Sequence, residues 1–211
     1  PDRDYYLDPS PQMAEIRARY REHAARLLKA AGVADAEAKA ERVVALEKRI
    51  AEVHGNREDS ADVVKGNSHW SRADFAARAP GLDWDAFFEA AGLGTQQRFV
   101  VWQPGAATGV AALVRDVPLA TWKEYLAFRA LEEAAPFLPK AFVDESFAFY
   151  GKVLSGTPQQ RERWKRAVDV TDAALGEAVG KLYVAKYFPP SEKARAEAMV
   201  RNEIAAFAKR I

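Results

Sequence analysis

The chain has 211 residues, 49% of them hydrophobic and 11% aromatic, enough to bury a substantial core in one large domain or two small ones. Its 31 basic and 30 acidic residues leave a formal charge of +1, which gives no electrostatic basis for a nucleic-acid or anionic-membrane partner. No apolar run approaches the about 18 residues of a membrane span, the N-terminus is too polar for a signal peptide, and the absence of cysteine excludes disulfide and thiolate chemistry.

The opening segment reads as irregular, with Asp2, Arg3, Asp4, Tyr5 and Tyr6 supplying charges and phenols able to tie a terminus down by hydrogen bonds. Ser10 and Pro11 then start a helix to about Ala31, with Met13, Ile16, Tyr20, Ala24, Leu27 and Leu28 on one stripe and Gly32 as its stop. His23 lies beside that stripe and is expected to be partly buried or solvated, with no partner at metal-ligand spacing. Asp35 is expected to cap a second helix to about Val53, whose Val43, Leu46, Ile50 and Val53 face inward. The short turn between the two makes them an antiparallel hairpin. Glu41, Glu47 and Glu52 are assigned to the solvated face of the second helix rather than to acid–base work.

From His54 to Trp70 periodicity is lost, and the stretch reads as a long loop with at most a turn of helix around Asp59 to Val64. It holds two of the three histidines, so a self-contained, metal-independent active site would be sought there. Ser71 with Asp74 forms a capping box for a short helix ending at Ala79, and Asp83 caps WDAFFEAAG, which Gly92 stops. Phe99 to Trp102 is the one convincing β-run and needs a partner, either a short segment of this chain or one outside it. The glycines after Pro104 lack the Gly-Lys-Ser/Thr ending of a phosphate loop, so GAATGVAAL reads as a short helix. Pro118 opens another, carrying Trp122, Tyr125, Leu126, Arg129 and Leu131 and ending before Pro136 and Pro139. A further helix, rich in Phe142, Phe147, Phe149 and Tyr150, closes at Gly156, and its aromatics at helical spacing read as core.

Thr157, Pro158 and Gln160 give three helix-start signals for a long helix to Phe188, stopped by Pro189 and Pro190. Trp164, Val168, Thr171, Leu175, Ala178 or Val179, and Leu182 share one face of it. Gly176 and Gly180, four apart, are expected to admit a close approach of another backbone. Arg161, Arg163, Lys165 and Arg166 form a basic cluster without an interleaved aromatic platform, hence a solvated face rather than a nucleic-acid site. Ser191 is expected to cap a last helix to Ile211 with only a thin apolar face. An opening at Pro1 rather than Met, and a periodic helix running to Ile211 without a terminator, are what a piece of a longer protein would show.

Three short motifs in order, PDRDYYLD at 1–8 (with Arg3, Asp4, Tyr5 and Tyr6), FVVWQP at 99–104 and AVGKLYVAKYF at 178–188, together resemble the neprilysin family of zinc metallopeptidases. The last includes Ala178, Val179, Gly180, Lys181, Leu182, Tyr183 and Val184, and the likeness is to the family's N-terminal helical region over essentially the whole chain. The chemistry of that family needs a His-Glu-x-x-His helix, but His23, His54 and His69 have no second histidine four residues away. The resemblance therefore implies no catalytic, cofactor or metal residue in this chain, with zinc expected in a longer parent. It implies a mostly α fold, a multi-helix bundle-like cap lobe over 1–157 with at most one short strand or hairpin, and helices at 158–211 leading into a catalytic lobe absent here. Implied partners are that lobe and the parent's peptide substrates, with neither nucleic acid nor membrane contacted by this segment. Animal members are disulfide-bonded, so the cysteine-free chain points to a bacterial relative, periplasmic or secreted. An independent helical interaction module, binding through an apolar groove on the 158–188 helix, is the competing expectation.

Overall fold

The computed structural model describes residues 2–210, most of them helical, with one two-stranded antiparallel sheet among them. Two compact units divide at Gln159 and Gln160.

In the first unit, α1 (Asp4–Leu7) gives the expected irregular opening one turn of helix. α2 (Pro11–Ala30) begins as its residues dictate: the Ser10 hydroxyl accepts from the Met13 amide at 3.4 Å, and Pro11 needs no amide partner in the first turn. Gly32, at φ +73°, supplies the left-handed residue that turns the chain back. α3 (Ala36–Val53) follows, but Asp35 itself sits at φ +54°, so its side chain makes no cap hydrogen bond; the expected cap is replaced by a tight left-handed turn. The hairpin buries Tyr20, Ala24, Leu27 and Leu28 against Ala36, Ala40, Val43 and Val44. α9 (Leu119–Ala134) and a π-helical segment, Phe147–Leu154, close this core with Phe128 and Phe149.

The expected loop after His54 is more ordered. Asn56 accepts from the Asp59 amide at 2.7 Å to start α4 (Arg57–Ala61), and Asp62 accepts from Val64 at 2.9 Å to start α5 (Val63–Gly66). Caps on one-turn helices leave no periodic signal, which is why the stretch reads as a loop. β1 (His69–Ser71) then pairs antiparallel with β2 (Arg98–Val100), Trp70 opposite Phe99, so the β-run finds its partner inside the chain. The Ser71 and Asp74 capping box starts α6 (Arg72–Arg78), and Asp83 caps α7 (Trp84–Ala90). Trp70, Phe75, Ala79, Phe88 and Ala111 make a second core, the last from α8 (Pro104–Asp116). Leu46, Leu113 and Val117 form a third, joining α3 to α8. α10 (Lys140–Ser146) leads into the π-helical segment.

The second unit holds α11 (Arg163–Tyr187) and α12 (Pro190–Ala208), neither with a buried residue. α11 begins at Arg163, later than the sequence signals predict; the Thr157 amide donates to the Gly151 carbonyl at 2.8 Å and belongs to the close of the preceding segment. α12 starts from Pro189 with Pro190 in its first turn, which places Ser191 inside the helix rather than at its cap. The expected end at Ile211 lies outside the described residues, as does Pro1. A Cβ on Gly180 would meet nothing within 4 Å, and on Gly176 only Asp172 Oδ1 at 3.8 Å, so among the described residues no other backbone makes the expected close approach to either glycine.

The glycines of the two units therefore respond oppositely to a methyl group. A Cβ at Gly109 would press on the Val53 side chain, with Cγ1 at 2.6 Å. Gly109→Ala is expected to destabilise the first unit by about 1–3 kcal/mol through overpacking, whereas Gly180→Ala should strengthen α11 by up to about 1 kcal/mol through helix propensity. Urea unfolding followed by circular dichroism checks both signs.

Candidate functional site

The buried stripe of α3 runs through Ala36, Ala40, Val43, Val44 and Ala51, and Glu47 occupies a position on it, only 6% exposed. This corrects its assignment to the solvated face; Glu41 and Glu52 do lie there, exposed. The Tyr20 hydroxyl, from α2, donates to Glu47 Oε1 at 3.1 Å, and that of Tyr6, from α1, donates to Oε2 at 3.3 Å. One turn along α2, His23 is fully buried, stacked at 5.1 Å on Phe149. Its Nδ1 pairs with Glu145 Oε1, from α10, at 3.1 Å, and Arg26 Nε donates to Glu145 Oε2 at 2.9 Å. From α9, Glu132 accepts hydrogen bonds from Tyr150 and Arg129, and Arg129 Nη1 stands 4.0 Å from Glu47 Oε1. His23 Nε2 has no hydrogen-bond partner, its nearest acid being Glu132 Oε1 at 4.0 Å. Histidine beside the apolar stripe is thus a core residue, because a full turn of aromatic rings encloses it.

Burial dominates the electrostatics. It raises the Glu47 carboxyl to about 7, and the Glu132 charge adds to the effect, while the Tyr20 and Tyr6 hydrogen bonds and Arg129 oppose it. Burial lowers His23 against the pull of Glu145 and Glu132, so the imidazole is neutral near pH 7. Tyr6, Tyr20 and Tyr150 are pushed up by burial and by the neighbouring carboxylates, which keeps them as hydrogen-bond donors throughout the physiological range. Burial disfavours the Arg129 charge, but Glu132, Tyr20, Glu47 and Tyr125 outweigh it and hold the guanidinium charged.

Glu47 borders a polar cavity of about 140 Å³ that Arg3, Tyr6, His54, Tyr125 and Arg129 also line. An apolar cavity of about 310 Å³, also bordered by Tyr6, lies between Tyr5, Ile16, Phe149 and Leu154. A buried acid titrating near neutrality beside a polar cavity can store or pass a proton. The cluster does not suit a zinc ion: Glu132 and Glu145 are each already paired with a guanidinium, and His23 Nδ1 is committed to Glu145. Among the described residues no group of three or more His, Cys, Asp or Glu side chains is arranged to hold a metal, and no helix is long and apolar enough to cross a membrane.

Of the residues singled out in the sequence, Arg3 donates from Nη1 to the His54 carbonyl at 2.8 Å, and Tyr6 reaches Glu47. Asp4 begins α1, and Tyr5 is 38% exposed. Ala178, Val179, Gly180, Lys181, Leu182, Tyr183 and Val184 fall on α11, where Leu182 and Tyr183 are exposed and Tyr183 packs on Tyr187 with ring centroids 5.0 Å apart. His54 and His69 are both exposed; His54 shares the polar cavity with Glu47, whereas His69 lies on β1. Sequence reading missed Glu47, Glu132, Glu145, Tyr20, Tyr150 and Arg129. The available signal was positional: Glu132 stands one turn from both Phe128 and Ala135, and Glu145 one turn from both Phe142 and Phe149.

The N-terminal model of peptidase family M13 matches residues 1–211. The neutral endopeptidase of Lactobacillus helveticus is 25% identical over 88% of this chain and 29% of its own length. Mouse endothelin-converting enzyme-like 1 is 24% identical over 96% of this chain and 27% of its own. Among solved structures, the Mycobacterium tuberculosis zinc metalloprotease Zmp1 in its open state superposes with a TM-score of 0.86 at 35% identity, covering 96% of this chain and 32% of that one. Its inhibitor complex gives 0.84 at 33% identity, with 96% and 31% covered. The chain thus spans about a third or less of these relatives.

His23 carries a pH signature that the stacking alone would not. Its folded value lies below that of an unfolded histidine, so the stability it contributes is present above about pH 6.5 and is lost as pH falls through the folded value. His23→Phe keeps the ring against Phe149 and should remove that acid limb. The change in urea midpoint on going from pH 5 to pH 7 is expected to be shifted toward lower stability at pH 7 in the variant relative to the parent chain.

Proposed function

Since the chain belongs to peptidase family M13, whose N-terminal model takes in all of its residues, we propose that it is the helical cap region of a neprilysin-like zinc metalloendopeptidase. The carrying observation is joint: the family model spans residues 1–211, while none of His23, His54 and His69 stands in a His-Glu-x-x-His helix. The fold therefore serves access rather than bond cleavage. Residues 1–157 form the cap that admits flexible peptides to an enclosed site and excludes folded proteins, and residues 158–211 lead into a lobe carrying zinc and the general base. The family resemblance implies that the parent enzyme works outside the cytoplasm, in the periplasm or secreted.

α11 supports the reading physically. Trp164, Val168, Leu175, Val179 and Leu182 recur at helical spacing and are between 47% and 74% exposed. An apolar stripe of this kind on a folded helix is an interface surface, and in this reading it seats part of the absent lobe. The same stripe would serve an independent interaction module, but the Zmp1 superposition over 96% of the chain favours a segment of a larger peptidase.

The 211-residue chain on its own is expected to hold no stoichiometric zinc and to leave a quenched fluorescent peptide uncleaved, with or without chelator. Elemental analysis and a fluorescence assay check both. One tightly held zinc per chain together with chelator-sensitive cleavage would overturn the proposal.

A further inference from the structure

Three carboxylates meet inside the first unit, Glu47 from α3, Glu132 from α9 and Glu145 from α10, and two guanidiniums stand against them. Arg26 is bound directly to Glu145, and Arg129 directly to Glu132, which Tyr150 also supports. Glu47 is left with two phenols, Tyr6 and Tyr20, and shares Arg129 only at 4.0 Å. Tyr125, on α9, also bears on it, and His23, on α2, pairs with Glu145 rather than with Glu47. The cluster is one positive charge short, and the carboxylate without a cation of its own is Glu47.

We propose that the cluster holds one exchangeable proton on Glu47, and that releasing it loosens α1 from the α2–α3 hairpin, making the docking of this N-terminal helix proton-controlled. A neutral carboxyl suits the position between two phenols, because it offers one O–H donor and retains acceptor capacity. An ionised one would place a second full negative charge beside Glu132, with a single guanidinium between them. The phenol hydrogen bonds strengthen on ionisation, but burial and Glu132 outweigh them, which is why the closed arrangement favours the proton. By linkage, the open arrangement gains as the proton leaves. The polar cavity at Arg3, His54 and Arg129 gives solvent a route to the carboxyl.

α1 is the element that responds. It has four residues and none buried, and Tyr6 is its tie to the titrating group. Its remaining polar ties run to carbonyls, Arg3 to that of His54 and Arg17 to those of Tyr5 at 3.2 Å and Asp8 at 2.8 Å, beside the edge contact of the Tyr6 ring with Tyr20. Undocking would uncover the Tyr20 and Phe149 rings that Tyr6 screens.

The amides of Tyr5, Tyr6, Leu7 and Asp8 are all hydrogen-bonded within the turn that α1 forms when docked, and so short a helix does not persist by itself, so hydrogen exchange at these amides follows the loss of docking. In the 211-residue chain their protection factors are expected to fall at least about tenfold between about pH 6 and about pH 8.5, with α3 amides as the steady reference. In Glu47→Gln they should stay flat. Equal protection at both pH values, or the same fall in Glu47→Gln, would overturn the proposal. Should Glu47→Gln not fold, side-chain carboxyl ¹³C shifts of the parent chain decide: one glutamate titrating near neutrality supports it, and every glutamate titrating in the ordinary range refutes it.

Discussion

A carboxylate buried at the junction of α1, α2, α3 and α9 without a cation of its own is the constraint on which the first unit depends. Placing an unpaired charge in a protein interior costs several kcal/mol, so the surroundings must either neutralise Glu47 or surround it with donors. Here both occur. Tyr20 and Tyr6 bring hydroxyls from two helices, Arg129 stands at 4.0 Å, and burial favours the protonated carboxyl. Each partner is fixed by apolar neighbours: Tyr20 by edge contact with Phe128 and by the tilted Phe149 ring, and His23 by the same Phe149 face. The polar cluster and the largest apolar core are therefore one body, and the register between α2 and α3 is set by chemistry as well as by shape.

Much of the fold was legible because its signals are local. Ser10, the Ser71 and Asp74 box, and Asp83 cap where their side chains predict, and Gly32 turns where only a left-handed residue fits. The starts of α11 and α12 fall elsewhere than Thr157 and Ser191 predict: the Thr157 amide closes the preceding segment on the Gly151 carbonyl, and Pro190 already stands in the first turn of α12 ahead of Ser191. The β1–β2 pairing was invisible because a three-residue strand has no measurable period, and Trp70 was drawn in by its burial against Phe75 rather than by any strand signal.

The buried cluster was harder to read for a different reason. Charged residues on an amphipathic helix are usually wet, and Glu47 sits among Lys48, Arg49 and Glu52 in sequence while facing Tyr20 in space. Only its phase on the helix, in line with Val43, Val44 and Ala51, distinguishes it from Glu41. The second unit poses the converse case: α11 has the apolar periodicity of a core helix, yet Leu182 is 74% exposed. Within the second unit that stripe is left uncovered, because α12 alone does not bury it.

Whether Glu47 is the joint of the first unit, rather than a tolerated polar residue in it, is tested most directly by a double-mutant cycle joining Tyr20→Phe and Glu47→Met, which removes the acceptor at similar size, read by urea unfolding at constant pH. A tie that orders the core predicts a coupling energy of at least about 1 kcal/mol between the two sites. Additive losses, within about 0.5 kcal/mol, would contradict it and leave the hairpin held by apolar packing alone.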